Sequence, residues 1–183
     1  MFEDLEIEGL KVITPKKHAD ARGFFCETHN KATWEKAGLN YNFVQDNHSL
    51  SCDIGTLRGL HFQIGAFAQD KLVRVLRGSI LDIAVDLRKS SSTFGKYVGI
   101  ELSQENWKQL FIPVGFAHGF ITLEPNTEVF YKVTNLYSPL HDCGIIWDDP
   151  QLSINWPLPK DRIILSEKDK RLPRLDEVDE LFE

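Results

Sequence analysis

Lys71-Leu72-Val73-Arg74-Val75-Leu76-Arg77-Gly78-Ser79-Ile80-Leu81-Asp82-Ile83-Ala84-Val85-Asp86-Leu87-Arg88 is the stretch that decides the fold class. Two aliphatic, β-branched runs, Leu72 to Leu76 and Ile80 to Leu87, flank Arg77-Gly78-Ser79, and the pattern predicts two strands joined as a hairpin. In the second run Leu81, Ile83, Val85 and Leu87 alternate with Asp82, Ala84, Asp86 and Arg88. A period of two belongs to a strand with unlike faces. The charged face either meets solvent or lines the polar lumen of a barrel, and periodicity leaves both open.

Outward from this stretch, Tyr97 to Leu102, Gln109 to Ile112, Ala117 to Leu123, Glu128 to Thr134 and Ile163 to Leu165 are further strand candidates. Segments of Pro, Gly, Asn and Ser separate them, so a mainly β sandwich or barrel is expected. Helix signals are few: Lys31 to Ala37, ending at Gly38, and Asp176 to Phe182. A chain of 183 residues is long enough for one well-buried core, and a single domain over residues 1–183 is expected.

Composition narrows the function by exclusion. The formal net charge of -6 argues against a nucleic-acid partner, which requires a clustered basic surface. Cys26, Cys52 and Cys143 are an odd set without Cys-x-x-Cys spacing and read as reduced structural thiols. The acidic start Met1-Phe2-Glu3-Asp4-Leu5-Glu6 and the lack of an apolar run of transmembrane length lead to the expectation of a cytoplasmic protein with no membrane partner. There is no Gly-rich dinucleotide fingerprint, phosphate loop, His-Glu-x-x-His or Gly-x-Ser-x-Gly. The chemistry must be carried by other residues.

Two histidines stand in unusual company: His61 in Leu57-Arg58-Gly59-Leu60-His61-Phe62-Gln63, and His118 in Pro113-Val114-Gly115-Phe116-Ala117-His118-Gly119-Phe120. Taken singly, each reads as a hydrogen-bonded core residue. Pro113, Gly115 and His118 match Pro-x-Gly-x-x-His, and in this the chain resembles the cupin superfamily, which implies a jelly-roll β-barrel. A metal-binding cupin would show His-x-His and then a Glu, whereas this chain has His61-Phe62-Gln63 and Lys71. Gln is a poor ligand and an ammonium has no lone pair, so no metal site is expected.

A closer resemblance runs from Asp20-Ala21-Arg22-Gly23-Phe24-Phe25-Cys26-Glu27 through Leu165-Ser166-Glu167-Lys168-Asp169. It includes Gln45-Asp46-Asn47-His48-Ser49, Arg58 to Gln63, Lys71 to Val75, Asp82 to Arg88, Gly115 to Phe120 and Tyr131-Lys132-Val133-Thr134. In the order and spacing of these blocks the chain resembles the dTDP-4-dehydrorhamnose 3,5-epimerase family. That resemblance implies an isomerase that inverts C3 and C5 of dTDP-4-dehydro-6-deoxy-D-glucose by moving protons next to the C4 ketone. It implies no cofactor, a homodimer with exchanged N-terminal strands, and a role in making L-rhamnose for cell-surface polysaccharide.

By the same resemblance His61 is the base, Asp169 orients and polarises its imidazole, Tyr131 is the proton donor, and Lys71 stabilises the enolate oxygen. These residue types suit the task. A carboxylate fixes an imidazole tautomer, a phenol reprotonates a carbanion while staying neutral between turnovers, and an ammonium supplies positive charge where the oxyanion forms. Asp82 and His118 are implied to line the sugar pocket; a buried pair that serves only the barrel is equally compatible with them. Arg22, Phe25, Glu27, Gln45, Asn47, Arg58, Tyr137, Asp142 and Lys168 fall at nucleotide-contact positions, and the exchanged N-terminal strands that the resemblance implies assign Arg22 and Glu27 to a neighbouring subunit's site. Phe25 and Tyr137 are the candidates for the pyrimidine, Arg22 and Arg58 for the diphosphate. Asp142 stands where relatives often carry Glu.

Other readings stay open at this level. A C3-only epimerase, or one acting on another nucleotide sugar, retains the same four catalytic positions. A noncatalytic sugar-binding cupin is expected to lack one of His61, Tyr131 or Asp169, and this chain has all three.

Overall fold

Gly78 turns the chain from one sheet into the other. The computed structural model describes residues 1–183. Thirteen strands are β1 (Phe2–Asp4), β2 (Lys11–Ile13), β3 (Lys17–Asp20), β4 (Gly23–Cys26), β5 (Gln45–Ser51), β6 (Leu57–Gln63), β7 (Lys71–Arg77), β8 (Ser79–Asp86), β9 (Tyr97–Ser103), β10 (Gln109–Ile112), β11 (Phe116–Thr122), β12 (Thr127–Val133) and β13 (Asp142–Gly144). A six-stranded sheet has the order β1-β2-β10-β7-β12-β5, a five-stranded sheet the order β13-β6-β11-β8-β9, and β3-β4 form a separate hairpin. All strand pairs are antiparallel. The chain thus forms the expected mainly β, cupin-type barrel with a few short helices.

The expected β7–β8 hairpin is not formed. β7 pairs with β10 and β12, whereas β8 pairs with β9 and β11 in the opposite sheet. A strand has only two edges, and those of β7 and β8 are already taken. Their inward side chains, Val73 and Val75 on one and Ile80 and Ala84 on the other, meet in one apolar cluster instead. Gly78 makes the corner at φ +77°, where a Cβ would lie 2.3 Å from Thr127 Oγ1.

The two faces of β8 are buried against different layers. Ile83, Val85 and Leu87 face outward and are covered by the C-terminal segment through Ile145, Leu152 and Leu175. Asp82 belongs with Ile80 and Ala84 on the inner side and is fully buried. The acids of the charged face, Asp82 and Asp86, are therefore buried rather than meeting solvent. Each fully buried Leu or Ile in these layers contributes roughly 1.5–3 kcal/mol.

Helix α1 (Lys31–Lys36) is close to the expected span and closes the outer face of the six-stranded sheet. Asn30 caps it by accepting from Thr33 N at 3.2 Å, and Trp34 packs edge-on against Phe2, Phe43 and Phe111. The expected helix over Asp176 to Phe182 is a single 3-10 turn, Leu175–Glu177. So short a helix is marginal by itself, and the tail runs on instead to bridge Phe182 to Arg88. Ile163 to Leu165 forms no strand, only a bridge from Ile164 to Thr56.

Candidate active site

His61 and His118 are directly opposed on the neighbouring antiparallel strands β6 and β11, so their side chains leave the same face of the sheet. The register shifts just beyond them. There Gly59, at φ +137°, lies so close to β11 that a Cβ would come within 2.5 Å of Gly119 Cα. On the opposing sheet Lys71 and Val133 are paired, as are Tyr131 and Asn47. Between the sheets lies a cavity of about 580 Å³, lined by His61, Lys71, His118, Tyr131 and Asp169 among others.

Asp169 comes from a 3-10 turn near the C-terminus and is buried beneath His61. His61 Nε2–H donates to Asp169 Oδ1 at 2.6 Å. A carboxylate only accepts, so this bond puts the proton on Nε2 and leaves Nδ1 as the basic nitrogen. Burial alone would raise the Asp169 carboxyl, but the hydrogen bond and charge of His61, with Ser166 and Lys168, hold it below the ordinary carboxylate range.

Lys71 is buried, with its single hydrogen bond running to His61 O at 3.3 Å. Burial pushes its ammonium down to about 8, against the opposing pull of Asp142 and Asp82. Burial raises the phenol of Tyr131, opposed by the charge of Arg58, so it stays neutral at physiological pH. His118 Nε2–H donates to Asp82 Oδ1 at 2.7 Å, and burial pushes that imidazole down toward its neutral form in spite of Asp82. Asp82 lies behind His118 rather than on the cavity wall. No group of three or more His, Cys, Asp or Glu side chains converges as metal ligands.

The mouth of the cavity is polar and bears cations. Gln45 Nε2 donates to Asn47 Oδ1 at 2.9 Å, and Arg58 reaches Ser51 Oγ and Leu50 O, each at 3.2 Å. Asp142 Oδ2 accepts from both Tyr137 Oη, at 3.0 Å, and Lys168 Nζ. The candidates Gln45, Asn47, Arg58, Tyr137, Asp142 and Lys168 therefore all line one cavity.

Arg22, Phe25 and Glu27 do not. They lie on and just after the β3–β4 hairpin, where Arg22 pairs with Asp20, Phe25 is 67% exposed, and Glu27 accepts from Asn30. Phe25 and Glu27 instead edge a separate hollow of about 220 Å³ beside Trp34. Conversely, Ser49, Gln69, Phe120 and Ser166 line the main cavity without having been singled out. Ser49 was recoverable, because Gln45, Asn47 and Ser49 recur at period two on β5. Gln69 and Ser166 lie outside the strands and carry no such signal.

Residues 4–177 match the family model of the dTDP-4-dehydrorhamnose 3,5-epimerases. The dTDP-4-dehydrorhamnose 3,5-epimerase of Sinorhizobium fredii is 50% identical over 100% of this chain and 93% of its own length. The crystal structure of the Bacillus anthracis dTDP-4-dehydrorhamnose 3,5-epimerase with TDP and PPi bound is 47% identical, with a TM-score of 0.92 over 96% of this chain and 99% of that one. A Legionella pneumophila dTDP-6-deoxy-D-glucose-3,5-epimerase in complex with dTDP-4-keto-L-rhamnose is 44% identical, with a TM-score of 0.93 over 98% and 94%.

Proposed function

The chain belongs to the dTDP-4-dehydrorhamnose 3,5-epimerase family, and from that premise we propose that it inverts C5 and C3 of dTDP-4-dehydro-6-deoxy-D-glucose to give dTDP-4-dehydro-L-rhamnose. The observation that carries the proposal is that His61 and Tyr131 reach the cavity from opposite sheets. A sugar ring lying between them meets a base on one face and an acid on the other.

In this reading His61 Nδ1 takes the proton from C5, and the C–H electrons move into the C4 carbonyl to form an enolate. The Lys71 ammonium stabilises the oxyanion, the electrostatic contribution that is commonly the largest in such reactions. Tyr131 returns a proton to the other face of C5 and recovers its own from solvent, while His61 releases the one it took. The same cycle at C3 completes the L-sugar. Asp169 keeps the His61 tautomer basic toward the cavity. His118, with Asp82 behind it, offers Nδ1 to a sugar hydroxyl.

The nucleotide lies toward the mouth, with Arg58 and Lys168 on the diphosphate and Gln45, Asn47, Tyr137 and Asp142 on the base and ribose. Arg22, Phe25 and Glu27 serve the cavity of a second copy in a homodimer with exchanged N-terminal strands. Supporting this, the β3–β4 hairpin pairs with neither main sheet and leaves Phe24 and Phe25 exposed, although a two-stranded hairpin is marginal unaided. Light scattering that gave a monomer at micromolar concentration would remove this part. The setting is cytoplasmic, consistent with three unpaired thiols; no helix is long and apolar enough to cross a membrane.

Proton NMR in deuterated water, with chelator-treated protein and dTDP-4-dehydro-6-deoxy-D-glucose, tests the function directly. Deuterium at both C3 and C5 with appearance of the L-sugar is expected. Exchange at C3 alone would make this a monoepimerase, and no exchange would refute the proposal.

A further inference from the structure

Gln63 follows His61 by two residues on β6 and is almost fully buried in the cavity wall, yet the proton transfers described above do not use it. Its carboxamide is hydrogen-bonded on both sides. Nε2 donates to Phe67 O at 2.7 Å and to Leu136 O at 3.1 Å, while Oε1 accepts from Ser138 N at 2.7 Å. The bonds to Leu136 and Ser138 bracket Tyr137. Between them, Tyr137 N donates to Gln45 Oε1 at 3.1 Å. Three of the four backbone groups from Leu136 O to Ser138 N are thus held by two side-chain amides.

The same loop is tied a second time. Gln69 Nε2 donates to Asn135 O at 2.7 Å, and Asn135 Nδ2 returns bonds to Ala66 O and Ala68 O at 3.0 and 2.9 Å. The Tyr137 side chain itself is more than half exposed, and within the chain only Asp142 holds its hydroxyl. Its place at the mouth therefore depends on its backbone.

We propose that Gln63 is a positioning residue for nucleotide binding: by clasping the backbone on both sides of Tyr137, it presets that ring over the cavity mouth without taking part in proton transfer. The proposal rests on the epimerase reading for its substrate but not for its main measurement. Preorganisation lowers the ordering cost of binding and leaves the bond-making steps alone.

In Gln63→Glu the shape is kept and the acceptor toward Ser138 N survives, but the two N–H donors of Nε2 give way to one carboxylate oxygen facing the carbonyls of Phe67 and Leu136. Calorimetry with TDP and steady-state kinetics with the dTDP-sugar should show Kd and KM raised by about tenfold or more, with kcat within about threefold of the parent. A fall in kcat at unchanged KM, or an unchanged Kd for TDP, would overturn the proposal. Gln63→Met, uncharged and of similar length, reads the same quantities should Gln63→Glu not fold.

A double-mutant cycle separates this role from general loosening. If Gln63 acts through Tyr137, adding Gln63→Met to Tyr137→Ala should raise the TDP Kd no further, whereas additive losses would refute the link. TDP binding needs no turnover. A parent protein that exchanges neither C3 nor C5 hydrogen, yet binds TDP in a Gln63-dependent way, would sink the epimerase reading and leave this one standing.

Discussion

His61 Nε2 and Asp169 Oδ1 lie 2.6 Å apart although 108 residues separate them in the chain. The bond sets the tautomer, so its loss should cost base strength at both carbons. Asp169→Asn preserves size but lets the amide present a donor to Nε2, favouring the wrong tautomer. We expect solvent exchange at C3 and C5 to fall together by about 10²-fold or more, toward the loss in His61→Ala. Unequal losses at the two carbons, measured by deuterium incorporation, would mean that His61 is not the base for both.

Tyr131 faces His61 from the other sheet, so removing its hydroxyl should separate two events that normally occur together. Tyr131→Phe retains the ring and the base. Product formation should drop by about 10²-fold or more, while washout of substrate hydrogen, which needs only His61 and Lys71, falls far less. Equal losses of washout and product would argue against Tyr131 as the donor.

The strands with two apolar or strongly alternating faces, β7 to β12, were legible to within a residue or two. Their partners were not, because Gly78 carries the same turn signal whether it closes a hairpin or a corner between sheets. β5 escaped the strand reading because its inner residues, Gln45, Asn47 and Ser49, are polar wherever they line a cavity. Its outer residues include Asp46 and His48, so neither face looks apolar. Asp169 had no local signal at all: between Lys168 and Lys170 it reads as a solvated charge, and only the resemblance assigned it. Arg22, Phe25 and Glu27 were assigned the same way, and the fold of one chain leaves them outside its own cavity.

Asp86 ends β8 and is fully buried against the loop that follows. Burial would raise its carboxyl, but hydrogen bonds from Arg88, Thr93 and Ser91 hold it at about 2, below the ordinary 3.8. A depressed carboxyl contributes stability that is present above its unfolded pKa and lost as pH falls through the folded value. Asp86→Asn should therefore be less stable by about 2 kcal/mol at pH 7, with the gap shrinking to roughly half by pH 3. Urea midpoints of the two proteins at both pH values measure it, and a gap independent of pH would assign the loss to packing.

Lys71 should drive activity and stability in opposite directions. Its folded value of about 8 lies below the ordinary 10.5 because burial penalises the ammonium. Between those values the unfolded chain binds more protons than the folded one, so this residue's contribution to stability rises with pH, by up to about 3 kcal/mol across the window. Enolate stabilisation needs the charged form, so kcat should fall as pH rises above about 8. Lys71→Met removes both effects: turnover drops by roughly 10²–10³-fold, the scale of losing one oxyanion donor, while stability near pH 7 increases. That advantage over the parent should shrink toward pH 10. A parent kcat that stays level from pH 7 to 10 would show that the Lys71 charge is not what holds the enolate, whatever the stability curves do.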